Sequence, residues 1–318
     1  MVTFLEFEKP VAELEARIKE LKASAPEGGV DIGPEVEKLE AKAAKLLRDT
    51  YAKLSPWQKT MVARHPMRPH FKDIVGRLIE GFTPLAGDRK FGEDAAIQGG
   101  LGRFRGRSVM VIGHEKGSDT ASRIKHNFGM GKPEGYRKAA RLMELASRFN
   151  VPIVSFVDTS GAFPGVTAEE RGQAEAVARS TQACLSVSVP FVSAIVGEGG
   201  SGGALALATA NRIIMFEHSV YAVISPEGCA SILWRTADKA ADAAEAMKQT
   251  AQDLKRLGVI DTIVEEPLGG AHRAPEAAID RLGDALAHEL TLLDGLPPQQ
   301  LRADRRAKFL AMGRSAAA

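Results

Sequence analysis

Between about Arg107 and Phe216 short apolar runs alternate with helical patterns, and glycine-rich joints link them; this alternation limits the fold more than any other feature. Val109–Gly113, Pro152–Val157, Pro190–Val196 and Arg212–Phe216 read as buried strands. Continuous apolar runs of that length suit a sheet covered on both faces. Between them, Ala139, Leu142, Met143, Ala146 and Phe149 make one apolar helix face, and Ala174, Val177, Ala178 and Leu185 make another. The second of these helices is expected to open on Thr167-Ala-Glu-Glu170 as a capping box, whose carboxylates suit the positive end of the helix dipole.

The joints carry the functional argument. They are Asn127-Phe-Gly-Met-Gly-Lys-Pro-Glu-Gly135, Asp158-Thr-Ser-Gly-Ala-Phe-Pro-Gly165 and Glu198-Gly-Gly-Ser-Gly-Gly-Ala204. Each follows a strand or precedes a helix. Glycine lets backbone N–H groups approach a ligand, and a helix N-terminus adds partial positive charge, so such joints suit an oxyanion or a phosphate. Tight turns alone would account for one joint more readily than for three at successive strand ends. None has P-loop spacing, and Gly100-Leu-Gly102 is followed by Gly106, too late for a dinucleotide fingerprint.

Two other enzymatic readings stay open on the residues. Gly199-Gly-Ser201-Gly-Gly203 matches Gly-x-Ser-x-Gly between a strand and a helix, the setting of a nucleophile elbow, with His218, His272 and His288 downstream as bases. Against it, short glycine-rich matches are common and nothing else marks a triad. Hydratase-like acid/base chemistry could use Glu169, Glu170 or Glu198, of which only Glu198 lies beside the glycines at a strand end.

Composition narrows the class. The 318 residues are 44% hydrophobic and 26% charged, which suits a globular chain with a real core. With 42 basic against 40 acidic side chains, net charge offers no general attraction for nucleic acid, so any anion site must be local. The stretch Arg123-Ile-Lys-His-Asn127, with Lys132, Arg137, Lys138 and Arg141, has few acids nearby in sequence. It is either a solvated face or a contact for a phosphorylated ligand such as the nucleotide end of coenzyme A. Cys184 and Cys229 form no CxxC pair, so neither a thiolate zinc site nor a disulfide framework is expected. An acidic N-terminus and the lack of any apolar run near the ~18 residues of a membrane span point to a cytoplasmic protein, with no membrane partner.

The first ~55 residues read as two helices. Val11, Leu14, Ile18 and Leu21 share one stripe, as do Val36, Leu39, Ala43 and Leu46, and Ser24–Pro34 reads as the loop between. The expected organisation is a helical hairpin over 1–55, serving as a packing arm, and a main domain over 56–318 with C-terminal helices. Ser55-Pro56-Trp57 reads as a helix start, followed by an irregular stretch containing Pro66, Pro69 and several glycines.

Several long segments resemble one family. Asn127–Ala139, Ala168–Ala176, Glu198–Ala206, Ile224–Trp234 and Glu266–Arg273 are similar, in order, to the alpha subunits of bacterial-type acetyl-CoA carboxylase carboxyltransferases. Arg64-His-Pro-Met-Arg-Pro69 and the N-terminal Phe7-Glu-Lys-Pro segment fit the same family, so the likeness covers nearly the whole chain. It implies an α/β crotonase fold (ClpP/crotonase-like), a spiral of ββα units in two roughly perpendicular sheets. It also implies carboxyl transfer from carboxybiotin, on a biotin carboxyl carrier protein charged by biotin carboxylase, to acetyl-CoA, giving malonyl-CoA for fatty-acid synthesis. The implied assembly is an α2β2 heterotetramer with a beta subunit that carries the zinc ribbon, so no metal is expected here. By resemblance, Gly202 and Gly203 hold the biotin oxygen with Ala204 as a further donor, and Gly161, Ala162 and Gly165 shape the biotin pocket. Ser160 and Phe163 depart from the family's usual proline and tyrosine; the first relaxes a turn, and the second removes a hydroxyl.

Overall fold

The structure, a computed structural model, describes residues 3–24 and 32–313. Its centre is a mixed sheet in the order β1-β2-β3-β4-β5-β6-β8, with β7 pairing on β5. Strands β1 (Glu80–Pro84), β2 (Ile97–Phe104) and β3 (Arg107–His114) are antiparallel neighbours. From β3 onward, β4 (Ile153–Thr159), β5 (Phe191–Gly200), β6 (Arg212–Phe216) and β8 (Thr262–Val264) run parallel. The four expected strands are therefore β3 to β6.

Alternation along these strands explains their composition. Met110, Ile112, Ile153, Val157, Phe191 and Ile195 point into one core, while Val109, Val111, Val154, Phe156, Val192 and Ala194 point into the other. The first core is closed by α6 (Pro133–Arg148), α8 (Gln173–Ser186) and α9 (Ser201–Ala208), the second by α4 (Phe71–Leu78) and α13 (Pro275–Leu292). A strand buried on both faces cannot alternate apolar with polar, which is why the runs are continuous.

The described strands do not divide into two separate sheets. One hydrogen-bonded set branches at β5, whose residues 192–195 pair with β6 and whose residues 198–200 pair with β7 (Val220–Ala222). Nor is the stretch before Arg107 irregular: Gly99, Gly100 and Gly102 lie inside β2. A methyl at Gly100 would overlap the Thr83 carbonyl of β1, so the glycines permit close strand packing instead of breaking the strand.

The chain opens with α1 (Lys9–Ala23) and α2 (Gly33–Tyr51), which run in opposite directions. Ile18 packs with Val36 and Ala43, whereas Val11 packs with Leu47, Tyr51 and Val62. Most of the expected connecting loop, 25–31, lies outside the described residues. Polar ties fasten this pair to the rest. The buried Glu8 carboxylate accepts from the Tyr51 hydroxyl at 3.0 Å and faces Arg273 at 3.4 Å, while Arg273 also reaches Glu15 at 2.8 Å. Next, α3 (Pro56–Ala63) begins with a reciprocal cap, Ser55 Oγ accepting from the Gln58 amide and Gln58 Oε1 from the Ser55 amide.

The remaining helices are α5 (Thr120–Lys125), α7 (Val166–Glu169), α10 (Pro226–Trp234), α11 (Ala240–Met247), α12 (Ala251–Arg256) and α14 (Pro298–Ala311). Expectation fails at α7 and α8. No side chain caps α7, and the chain breaks before α8 at Gly172, whose φ of 78° suits glycine. Ala174, Ala178 and Leu185 are exposed, and the buried stripe is Gln173, Ala176, Ser180 and Cys184. In α6 the expected face is buried except for Phe149, which lies past the helix end and is exposed. A buried arginine fastens α14: Arg305 Nη1 donates to the carbonyls of Cys184 at 2.7 Å and Val187 at 2.9 Å, closing the end of α8.

Candidate active site

The three glycine joints meet. The Gly131 carbonyl of the first accepts from the Phe163 amide of the second at 2.9 Å and from Gln173 Nε2 at 2.9 Å. At the third joint, a methyl on Gly203 would stand 2.7 Å from the Gly161 carbonyl carbon and 2.8 Å from the Ala162 nitrogen. A methyl on Gly200 would overlap the Ser160 carbonyl. Only glycine lets the β5–α9 joint lie this close to the loop after β4.

Helix α9 is anchored at one end and open at the other. Its last carbonyls find buried partners: Ser180 Oγ donates to Ala206 O at 2.7 Å, and Ser155 Oγ donates to Leu207 O at 2.7 Å. At its start, Gly200 is the N-cap and no side chain accepts from the first turn. The amides of Ser201, Gly202 and Gly203 therefore have no acceptor within the helix. Ala204 is fully buried and is the fourth helical residue, whose amide ordinarily closes on the N-cap carbonyl. Ser201 and Gly202 open onto a cavity of about 590 Å³, walled by Leu205, Tyr221, Ile224, Cys229 and Met247 among others. Cys229 is thus a cavity-wall thiol, while Cys184 is wholly buried, where burial pushes its ionisation up to about 12. Gly165 caps α7, and a side chain there would strike the Phe163 ring. That ring lies 5.2 Å from Lys132 Nζ.

Glu198, the acid singled out beside the glycines, is held by Arg64. The guanidinium Nη2 lies 2.7 Å from Glu198, and Nη1 lies 2.6 Å from Glu227. The same Arg64–Pro69 segment places Arg68 against Glu266 and stacks His65 on His272 with ring centroids 3.9 Å apart. Asp158, at the end of β4, accepts from Lys116 Nζ at 2.8 Å and from the Glu198 amide at 2.9 Å. Burial alone would raise its carboxyl, but Lys116 and these hydrogen bonds hold it below the usual carboxylate range. Asp94 accepts the amides of Ala96 at 3.1 Å and Lys132 at 3.0 Å, and its burial pushes it up to about 6.

Among the described residues no triad forms around Ser201. His272 stacks on His65, His218 packs 5.4 Å from the Tyr51 ring, and His288 is exposed on α13. Both ring contacts, the stacked His65–His272 pair and the edge-to-face Tyr51–His218 pair, belong to the surface where the N-terminal helices pack. The basic stretch is also largely committed. Arg137 pairs with Asp88 at 2.7 Å and Glu134 at 3.1 Å, Lys138 pairs with Glu93, and Arg141 donates to the Leu85 carbonyl at 2.9 Å. Those partners lie some fifty residues upstream for all but Glu134, so local sequence could not reveal them. Sequence reasoning also passed over Tyr136, whose ring is fully buried where the joints meet.

Solved structures share the fold of this chain. Its fold matches a Pseudomonas malonate decarboxylase hetero-tetramer with a TM-score of 0.58, 18% identity and coverage of 78% of this chain and 93% of that one. The beta subunit of P. aeruginosa geranyl-CoA carboxylase matches with a TM-score of 0.55 and 20% identity, over 77% of this chain and 46% of that one. The fold is that of the crotonase-type carboxyltransferases. At sequence level, a family model described as acetyl co-enzyme A carboxylase carboxyltransferase-like matches residues 4–313. The carboxyl transferase alpha subunit of Rhizorhabdus wittichii is 70% identical over 313 residues, 98% of this chain and 100% of that relative. That of Sphingopyxis alaskensis is 67% identical over 315 residues, 99% of this chain and 100% of that relative. The chain belongs to the acetyl-CoA carboxylase carboxyltransferase alpha-subunit family.

Proposed function

We propose that this chain is the alpha half of a cytoplasmic acetyl-CoA carboxyltransferase. With a beta subunit, as α2β2, it moves the carboxyl group of carboxybiotin, borne by a biotin carboxyl carrier protein and supplied by biotin carboxylase, onto acetyl-CoA to give malonyl-CoA. The reaction class follows from full-length similarity at 70% identity. One geometric observation carries the location: the uncapped start of α9 faces the loop after β4 and opens on an apolar cavity.

These residues fit the donor group. An uncharged ring system suits an apolar wall, and an oxygen that gathers negative charge suits free amides at a helix N-terminus. When bound, carboxybiotin supplies the carboxyl carbon and a ureido oxygen that becomes anionic as that carbon leaves. The amides of Gly202 and Gly203 stabilise that oxygen, with Ala204 behind them in the same turn. Gly161 and Ala162 form the facing wall, and Gly165 lets the chain turn away beneath it. Aimed donors of this kind contribute about 2.7–4 kcal/mol each to a transition state in comparable enzymes. Residues 1–55 serve as a docking arm on the 56–318 domain.

The test is to mix purified chain with beta subunit, carboxylated carrier and acetyl-CoA, and to measure malonyl-CoA. Production is expected only with both subunits present. Robust synthesis by this chain alone, or none by a verified assembly, would overturn the reading.

A further inference from the structure

The phenol of Tyr136 is wholly buried, and its oxygen has no hydrogen-bond partner among the described residues. It lies where the three joints touch. A methyl on Gly203 would stand 2.8 Å from this oxygen, and one on Gly131 would stand 3.0 Å from it. Across the same notch at Gly203 lie the Gly161 carbonyl carbon and the Ala162 nitrogen. Among the described residues, the Ala162 amide has no acceptor either. The hydroxyl therefore occupies the space that the missing side chain of Gly203 leaves, between the start of α9 and the loop after β4.

Its mount is rigid. Tyr136 is in the first turn of α6, behind Pro133, and its ring packs in the core with Ile97 and Leu142. Burial, with the Asp94 carboxylate, pushes its ionisation well above the ordinary phenol value, so the group stays neutral at any working pH. A neutral hydroxyl on a fixed ring is a spacer whose length does not change with conditions. A buried hydroxyl without a partner costs stability in the free chain, so its presence at this seam calls for an explanation.

We propose that Tyr136 is a positioning residue for carboxyl transfer, its hydroxyl setting the gap between the Gly202–Gly203 amides and the Gly161–Ala162 loop. This rests on the reading of those amides given above. Without the oxygen, helix and loop close by a fraction of an ångström, and the amides turn from the position of the developing charge. The loss falls on alignment and not on substrate contact, so it appears in kcat and not in KM.

The experiment uses the complete assembly with beta subunit, carboxylated carrier and acetyl-CoA. Tyr136→Phe is expected to assemble normally with an equal or higher melting midpoint and an unchanged KM, while kcat falls about tenfold. Gly203→Ala enters the same notch from the other side and also lowers kcat; the double variant falls no further than the slower single one, since both act on one gap. A Tyr136→Phe rate within about twofold of wild type, alongside a slow Gly203→Ala, overturns the role of Tyr136 alone. Wild-type rates in both overturn the reading of the donor turn itself. A Tyr136→Phe loss that comes with a lowered midpoint or weakened assembly assigns the hydroxyl to packing and overturns the proposal as well.

Discussion

Arg68 and Glu266 form a two-point ion pair with both side chains buried, Nη1 and Nη2 each lying 2.8 Å from a carboxylate oxygen. Arg68 also donates to the Val196 carbonyl at 2.9 Å, beside the third glycine joint, and Glu266 accepts the amides of His218 and Ala271. One pair thereby ties the segment after α3, the end of β5 and the segment after β8. Burial alone would raise the Glu266 carboxyl; the Arg68 guanidinium above all, with the His218 ring and the Ala271 amide, overcomes this and brings it to about 2.

Removing one partner leaves the other charge buried and unpaired, which costs about 3–5 kcal/mol. Glu266→Gln is therefore expected to lower unfolding stability by that order in urea titration at pH 7. The sign with pH follows from a depressed carboxyl: its contribution is present above about pH 4.5 and is lost as pH falls towards 2. A loss below about 1 kcal/mol for Glu266→Gln would show that the pair holds nothing together.

His114 behaves in the opposite chemical sense with a similar pH consequence. It is fully buried at the end of β3 with neither ring nitrogen bonded, and burial lowers it to about 3 although Asp158 opposes this; Lys116 nearby adds to the lowering. The folded chain keeps the ring neutral, whereas the unfolded chain protonates it below about pH 6.5. Stability is complete above that value and falls as pH drops through the window towards 3. Between pH 7.5 and 5, His114→Leu should lose less stability than wild type, by up to about 2 kcal/mol. Parallel loss in the two proteins would contradict the assignment.

Neighbouring glycines of the donor turn should respond differently. A methyl on Gly202 meets only Val177 Cγ1, at 3.2 Å, whereas one on Gly203 meets backbone at 2.7 Å. Gly203→Val should lower kcat on the order of 10²–10³ in complexes that still form, as loss of an aligned donor does elsewhere. Gly202→Ala should assemble more readily, and Glu170→Gln, an exposed change, should leave the rate near wild type. Size-exclusion chromatography of each complex separates slow turnover from failed assembly. A normal kcat in an assembled Gly203→Val complex would leave packing as the turn's only role.

Ser201 has a φ of 54° at the head of α9, a strained backbone like that of an elbow nucleophile, yet none of the downstream histidines is placed to activate it among the described residues. Ser201→Ala should retain most carboxyl transfer, and wild type should resist serine-directed phosphonates. Stoichiometric labelling that disappears in Ser201→Ala would restore the hydrolase reading.

What the sequence determined by itself is local or follows from uniform burial. Strands β3 to β6 were legible because a strand covered on both faces must be apolar throughout. The helix start at Ser55-Pro56-Trp57 was legible because a capping serine before a proline is a signal carried by adjacent residues. The paired stripes of α1 and α2 were legible because each repeats with the helical period. Tertiary structure alone decided the rest, because the deciding partners are distant in the chain. The buried stripe of α8 includes Gln173 and Ser180, polar groups tolerated only because Gly131, Phe163 and Ala206 offer carbonyls to them. Arg137 and Lys138 look free in sequence and are neutralised by Asp88 and Glu93. The glycine joints announced close backbone approach, but not which backbones would meet. That Gly203 faces Gly161, Ala162 and Tyr136 depends on the spacing of β4, β5 and α6, which is set by packing across both cores and is not encoded in any single segment.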